Sequence, residues 1–258
     1  MEDNRINIFS KNYVINTLKK IGANPLKRLG QNFLIDKNVI NNIKSLIPNS
    51  YTLIEIGPGL GHMRLVYPEN NHIGIEIDKK LAAFLQSEGF NVINDDFLNI
   101  DLKNIIKDKT LIFGNLPYYI TTEIILHIIR NISKYIVKVI VLVQKEFARK
   151  LKNNEIKTPS LILIRHYFDI SLLFDVSRNS FYPAPNVDST LVVLENKGLE
   201  YDKNFENFLK NIFTHKRKNV NKIFDKKFLE DFNIDSNKRI EEIDDIYNLY
   251  CNFEKYQT

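Results

Sequence analysis

The amino-acid sequence predicts a mostly parallel α/β unit, a seven-stranded sheet with an antiparallel edge, followed by a small all-α segment. Two patterns point there. Through residue 195, short Ile- and Val-rich runs bounded by Gly, Pro, Asn or Asp alternate with amphipathic stretches, as in βαβ units whose sheet is covered on both faces. Beyond Glu195 only helical periodicity remains.

In chain order, the spacing predicts strands over residues 52–56, 72–77, 91–94, 110–114 and 138–143. Amphipathic helices are expected over 37–46, 79–86, 121–131 and 144–151. Two more strands, 161–170 and 189–194, are joined by a loop alone, so they are expected to pair antiparallel at one edge. The tail reads as helices over 204–213, 220–224, 226–232 and 244–253. Gly198 and mixed charge mark a linker, which divides the chain into residues 1–197 and 198–258.

A chain of 258 residues, 44% of them hydrophobic, can bury a core without disulfides or metal. The lone Cys251 excludes a disulfide framework and a Cys-based zinc site. His62, His72, His127, His166 and His215 lack metal-ligand spacing, so no metal is expected and no histidine is given a catalytic role. Apolar runs such as 139–143 are too short to cross a bilayer, and the first ten residues lack a signal-peptide core. A reducing, cytoplasmic location is the expectation. The formal net charge is +5, and residues 196–258 balance 12 basic against 12 acidic groups, so the excess lies before residue 196. With 27 Lys against 9 Arg, and 36 Ile and 32 Asn, codon bias contributes to that charge. It permits a nucleic-acid partner without establishing one.

Residues 53–61 (Leu-Ile-Glu-Ile-Gly-Pro-Gly-Leu-Gly) run a strand into a glycine-dense turn where a ligand can lie against backbone. Nineteen residues after Gly57, Glu76 ends the next strand, and one carboxylate can accept both hydroxyls of a ribose. A dinucleotide fingerprint needs G-x-G-x-x-G, but Gly57, Gly59 and Gly61 are spaced G-x-G-x-G and the third fingerprint position is His62. Pro58 also removes a backbone donor that a pyrophosphate would use. S-adenosylmethionine carries ribose and adenine without phosphate and suits this loop. Asp95, Asp96 and Phe97 close the third strand, where a carboxylate can meet the adenine amino group.

Asn115-Leu116-Pro117-Tyr118 follows the fourth strand at the same sheet edge. The exocyclic amine of adenine is a poor nucleophile because its lone pair is delocalised into the ring. The Asn115 side-chain oxygen and the Leu116 carbonyl can accept its two hydrogens and favour a pyramidal nitrogen. Pro117 confines Leu116 to extended backbone, fixing that carbonyl's direction. Tyr118 can stack on the base.

With these elements, the chain resembles the ribosomal RNA small-subunit adenine N6,N6-dimethyltransferase family. The resemblance runs from residue 28 to 224 and is carried by six ordered motifs. Residues 28–36 (Arg-Leu-Gly-Gln-Asn-Phe-Leu-Ile-Asp) match an N-terminal signature, which implies Gln31, Asn32 and Leu34 at the methionine end of the cofactor. Glu55, Gly57, Gly59, Gly61, Glu76, Ile77, Asp96 and Phe97 match the cofactor site, Asp96 rather than Asp95 by its distance to Phe97. Residues 115–118 match the catalytic tetrapeptide, and residues 143–148 and 181–189 match two further signatures. Phe181 of the last is implied to approach the target base opposite Tyr118. The resemblance implies a Rossmann-like class I S-adenosylmethionine-dependent fold and dimethylation of two adjacent adenosines near the 3′ end of small-subunit ribosomal RNA, in ribosome biogenesis. A large-subunit methyltransferase of the macrolide-resistance type and a non-catalytic assembly or transcription factor are the alternatives. Leu116 and the Gln144-Lys145-Glu146 segment favour the small-subunit group.

Departures from the family pattern fall elsewhere. Thr158-Pro159-Ser160-Leu161 replaces Tyr-Gly-Arg-Leu-Ser, Lys216-Arg217-Lys218-Asn219 replaces Arg-Arg-Lys-Thr, and the segment between Gly61 and Glu76, with Pro68, is short. Basic clusters around Arg28, across 134–157 with Lys145 and Arg149, and at Lys216, Arg217 and Lys218 are the expected phosphate contacts. The partner expected is small-subunit ribosomal RNA or its pre-ribosomal particle, met by a monomer without a membrane.

Overall fold

Side-chain caps start most of the helices. Ser10, Asp36, Asp78, Thr158, Asp202 and Asp225 each accept a hydrogen bond from a first-turn amide. The computed structural model describes residues 7–26, 29–48, 50–63 and 72–257. In chain order these form α1 (Lys11–Lys20), β1 (Phe33–Leu34), α2 (Lys37–Lys44), β2 (Thr52–Ile56), β3 (His72–Ile75), α3 (Lys79–Ser87), β4 (Val92–Ile93) and α4 (Leu102–Ile105). Then come β5 (Thr110–Asn115), α5 (Thr121–Arg130), β6 (Ile136–Gln144), α6 (Lys145–Lys152), α7 (Pro159–Tyr167), β7 (Phe168–Val176), β8 (Phe181–Tyr182) and β9 (Ser189–Asn196). The tail holds α8 (Lys203–Thr214), α9 (Lys226–Asp231) and α10 (Ile246–Gln257), separated by short 3-10 turns.

Seven strands form one sheet in the order β4-β3-β2-β5-β6-β9-β7. The first five are parallel, and β9 runs antiparallel between β6 and β7. The chain enters at β2, winds outward to β4, then crosses back to β5 on the other side of β2. The carboxyl ends of β2 and β5 therefore flank the switch point, where an open α/β sheet leaves a crevice. The two-residue strands β1 and β8 pair separately, Leu34 opposite Phe181.

Alternate residues of the central strands serve opposite cores. Leu53, Leu111, Phe113, Ile140 and Leu142 pack with Val39, Ile40 and Ile43 of α2. Ile54, Ile112, Val139 and Val141 pack with α5 and α7, in a cluster that continues through Phe205, Leu209, Phe228 and Leu249 of the tail. Burial on both faces explains why these strands read as unbroken apolar runs.

The tail is also tied by charge. Glu206 of α8 is 3% exposed and accepts from Arg130 of α5 at 2.6 and 3.2 Å, from the Tyr201 hydroxyl, and from Lys210 at 2.7 Å. Burial alone would raise its carboxyl. The hydrogen bonds from Arg130, Lys210 and Tyr201 outweigh burial and draw it down to about 2.

One expected strand is corrected. Residues 161–167 are helical, in α7, and the strand begins only at Phe168. Leu161 and Ile164 are buried one turn apart, as are Leu163 and Tyr167, and the Thr158 cap followed by Pro159 at the first helical position starts the helix. A short apolar run fits a buried helix as well as a buried strand, and here the cap decides. Arg165 of α7 donates to the carbonyls of Lys150, Leu151, Asn153 and Ile156, clasping the end of α6. The edge pairing stands, since β7 and β9 are antiparallel, but β9 lies inside the edge and β7 forms it. Two other readings shift: β3 stops at Ile75, and the segment expected as a helix from 220 is a 3-10 turn, Val220–Lys222.

Candidate active site

The carboxyl ends of β2, β3 and β5 open onto a cavity of about 280 Å³, closed on the other side by residues 29–34. Its floor is the glycine turn. Gly57 and Gly59 have φ of 63° and 60°, a left-handed backbone that glycine adopts without strain. A Cβ on Gly57 would meet no protein atom within 4 Å, whereas one on Gly59 would strike the Phe33 ring at 3.0 Å. The third glycine, Gly61, faces Leu85 and Phe90 instead.

Of the residues expected at the site, Gln31, Asn32, Leu34, Glu55, Gly57, Gly59, Glu76, Ile77, Asp96, Phe97, Asn115 and Pro117 line this cavity. Gly61, Leu116, Tyr118 and Phe181 are absent from its wall. Leu116 is a core residue whose amide donates to Leu142, and Phe181 is buried against the α2 side of the sheet. The Tyr118 hydroxyl pairs with that of Ser189 on β9 at 2.7 Å, and burial, foremost, raises its pKa. Lining residues beyond the sequence-predicted set include His62, Met63 and Tyr119, the last more than half exposed. For His62 a signal existed, its place directly after the turn.

Side-chain polarity on this wall is largely oriented. Glu76 accepts the amides of Gly59 and Asp78, one on each oxygen at 2.9 Å. It is 3% exposed and has no cation partner among the described residues, and burial lifts its carboxyl to about 7 against those two bonds. Gln31 bridges the Leu26 amide and the Asp78 carboxylate. Glu55 gives one oxygen to His72 Nε2 at 3.1 Å. Asn115 donates its amide to the Asn32 carbonyl at 2.7 Å, which turns Oδ1 away from that bond.

Among the described residues, the buried side-chain nitrogen and oxygen atoms without a hydrogen-bond partner are Glu55 Oε1, His62 Nε2 and Asn115 Oδ1. All three residues line this one cavity. An unpaired buried polar atom costs roughly 1–3 kcal/mol, and the core elsewhere avoids it. Their gathering at the switch point marks a place built for a ligand with hydrogen-bond donors.

Of the basic groups expected to meet phosphate, Lys145 pairs with Asp175, while Arg149, Lys216, Arg217 and Lys218 are exposed. Arg28 and the segment containing Pro68 lie outside the described residues.

The chain is similar to known proteins over most of its length. Residues 23–254 match the family described as ribosomal RNA adenine dimethylase. The ribosomal RNA small subunit methyltransferase A of Ureaplasma parvum serovar 3 is 34% identical over 265 residues, covering 91% of this chain and 95% of that protein. Its namesake from Mycoplasmopsis pulmonis is 38% identical over 248 residues, covering 87% and 97%. A dimethyladenosine transferase from Plasmodium falciparum has the same fold, with a TM-score of 0.71 at 22% identity over 87% of this chain and 98% of its own.

Proposed function

The chain belongs to the ribosomal RNA adenine dimethylase family, and from that premise we propose that it uses S-adenosylmethionine to dimethylate N6 of two adjacent adenosines near the 3′ end of small-subunit ribosomal RNA. The observation that carries the reading is Asn115. Its amide nitrogen is held by the Asn32 carbonyl, and its oxygen is left unpaired in the cavity.

The cavity fits the cofactor on its own terms. The open side of Gly57 leaves room for a ligand against the backbone, and the unpaired acceptors suit a cationic amino-acid arm. Glu76 would hold the ribose hydroxyls, Ile77, Asp96 and Phe97 the adenine, and Gln31, Asn32, Leu34, Glu55 and Gly59 the methionine end. When bound, the cofactor supplies a methyl group already activated by its sulfonium.

The protein's part is to position and to polarise. Asn115 Oδ1 accepts one hydrogen of the adenine amine and the Leu116 carbonyl accepts the other, which concentrates the lone pair on nitrogen. Pro117, with φ −60° and ψ 123°, leads the chain away in extended form. Tyr118, anchored by Ser189, would stack on the base, whereas Phe181, which the resemblance implies on the opposite face, is packed in the core on the α2 side. Arg28, Lys145, Arg149, Lys216, Arg217 and Lys218 neutralise phosphates, and residues 198–258 dock the RNA. This reading assigns a monomer acting in the cytoplasm on ribosomal RNA or its pre-ribosomal particle. No helix among the described residues is long and apolar enough to cross a membrane.

The test is incubation with methyl-labelled cofactor and unmethylated ribosomal subunits, mapping the modified nucleotides. Two adjacent labelled adenosines near the 3′ end of small-subunit RNA are expected. Asn115→Ala should lower the rate by about a thousandfold, the upper end for loss of one oriented polar group, and leave cofactor affinity within severalfold. Label confined to large-subunit RNA would favour the macrolide-resistance type, and no label a non-catalytic factor.

A further inference from the structure

His62 stands directly after the glycine turn, and the chemistry above makes no use of it. Its ring is 4% exposed, with the Tyr13 ring edge-on at 5.8 Å and those of Phe33 and Phe9 at 6.3 and 6.5 Å. It hydrogen-bonds the Ile8 backbone, yet Nε2 is without a partner. Burial holds its pKa down to about 4, so the ring is neutral near pH 7. A neutral imidazole has one N–H and one lone pair. With the N–H at Nδ1 given to the Ile8 carbonyl, the lone pair is on Nε2, and His62 is an acceptor.

The other two unpaired atoms of the cavity, Glu55 Oε1 and Asn115 Oδ1, are acceptors as well. Three free acceptors and, among the described residues, no free buried donor call for a ligand group rich in N–H, and positive charge strengthens each bond. An anion placed there would meet only lone pairs. Asn115 is taken by the target amine, which leaves Glu55 and His62 on the glycine-turn side.

We propose that His62 Nε2 accepts a hydrogen bond from the α-ammonium group of the cofactor's amino-acid arm, making His62 a ligand-recognition residue. The assignment rests on the S-adenosylmethionine reading above. It also ties the segment around Ile8, which holds the other side of the ring, to occupancy of the cavity.

Calorimetry on the full chain tests it with two ligands: S-adenosylhomocysteine, which carries the same arm, and its analogue with hydrogen in place of the α-amine. His62→Phe keeps a ring among Phe9, Tyr13 and Phe33 but removes the acceptor. It should weaken S-adenosylhomocysteine about tenfold, the scale of one bond to a charged group, and the deaminated analogue less than twofold. Equal weakening of both ligands, or of neither, overturns the assignment. The wild-type protein offers a second readout that does not depend on the variant's folding. The ¹⁵N resonance of His62 Nε2 should move upfield on saturation with S-adenosylhomocysteine and stay in place with the deaminated analogue. Absence of that difference overturns the proposal. Wild-type protein binding both ligands equally would overturn this assignment alone, whereas binding neither would overturn the cofactor reading with it.

Discussion

Glu76 and Glu206 each expose only 3% of their surface, yet Glu76 is set deeper and their carboxyl groups stand at about 7 and about 2. The difference lies in how deeply each is set and in what surrounds it. Glu206 joins α5 to α8 and is ringed by Arg130, Lys210 and Tyr201, so its charge is answered within the protein. Glu76 has two backbone amides and, among the described residues, no cation, beside a cavity whose wall carries three unpaired polar atoms. One acid completes a structure, and the other is kept incomplete for something that arrives. Buried polarity left unsatisfied at a single place distinguishes the site from the tail junction more clearly than burial does.

Removing each acid's function should therefore be felt in different measurements. Glu76→Ala is expected to weaken S-adenosylhomocysteine by about a hundredfold, the upper scale for bonds to a charged group, with the melting temperature unchanged or raised. Calorimetry and thermal melts on the same sample check both. A variant that lost stability instead would place Glu76 with Glu206.

Arg130→Ala reverses the pattern. It strips Glu206 of two of its bonds while Lys210 and Tyr201 remain, and is expected to cost about 1.5 kcal/mol of stability, seen by urea unfolding. Cofactor affinity should stay within twofold, and a larger loss would show that the junction and the site are coupled.

The comparison was only half legible in the sequence. Glu76 could be read because it directly follows a strand at a fixed distance from the glycine turn, and residues close in sequence keep their relation in space. Asn115 was legible for the same reason. Glu206 and Arg130 are 76 residues apart, and no local pattern joins them. Strands β2 to β6 were recognisable because both of their faces are buried. The apolar run 161–164 was misread because its period fits two structures, and its Thr-Pro start was the overlooked signal. Ring directions were also beyond local pattern: Tyr118 turns to Ser189 and Phe181 into the core, both set by β8 and β9 far along the chain. In the sequence His62 only breaks a dinucleotide fingerprint; its burial and unpaired nitrogen follow from packing against the segment around Phe9 and Tyr13.

The two acids also give the protein opposite pH responses. Glu76 is raised above the ordinary carboxylate value, so its contribution to the stability of the ligand-free fold is full below about pH 4.5 and is lost as pH rises through 7. Glu206 is lowered, so its contribution holds above about 4.5 and is lost as pH falls toward 2. A ligand that donates to Glu76 must favour its ionised form. The decisive measurement is a ¹³C NMR titration of both carboxyl groups, with and without saturating S-adenosylhomocysteine. Glu76 should titrate near 7 in the free protein and fall by at least one unit when the ligand binds, while Glu206 stays near 2 in both. A Glu76 titration that the ligand leaves unmoved would contradict the claim that this cavity is built to receive it.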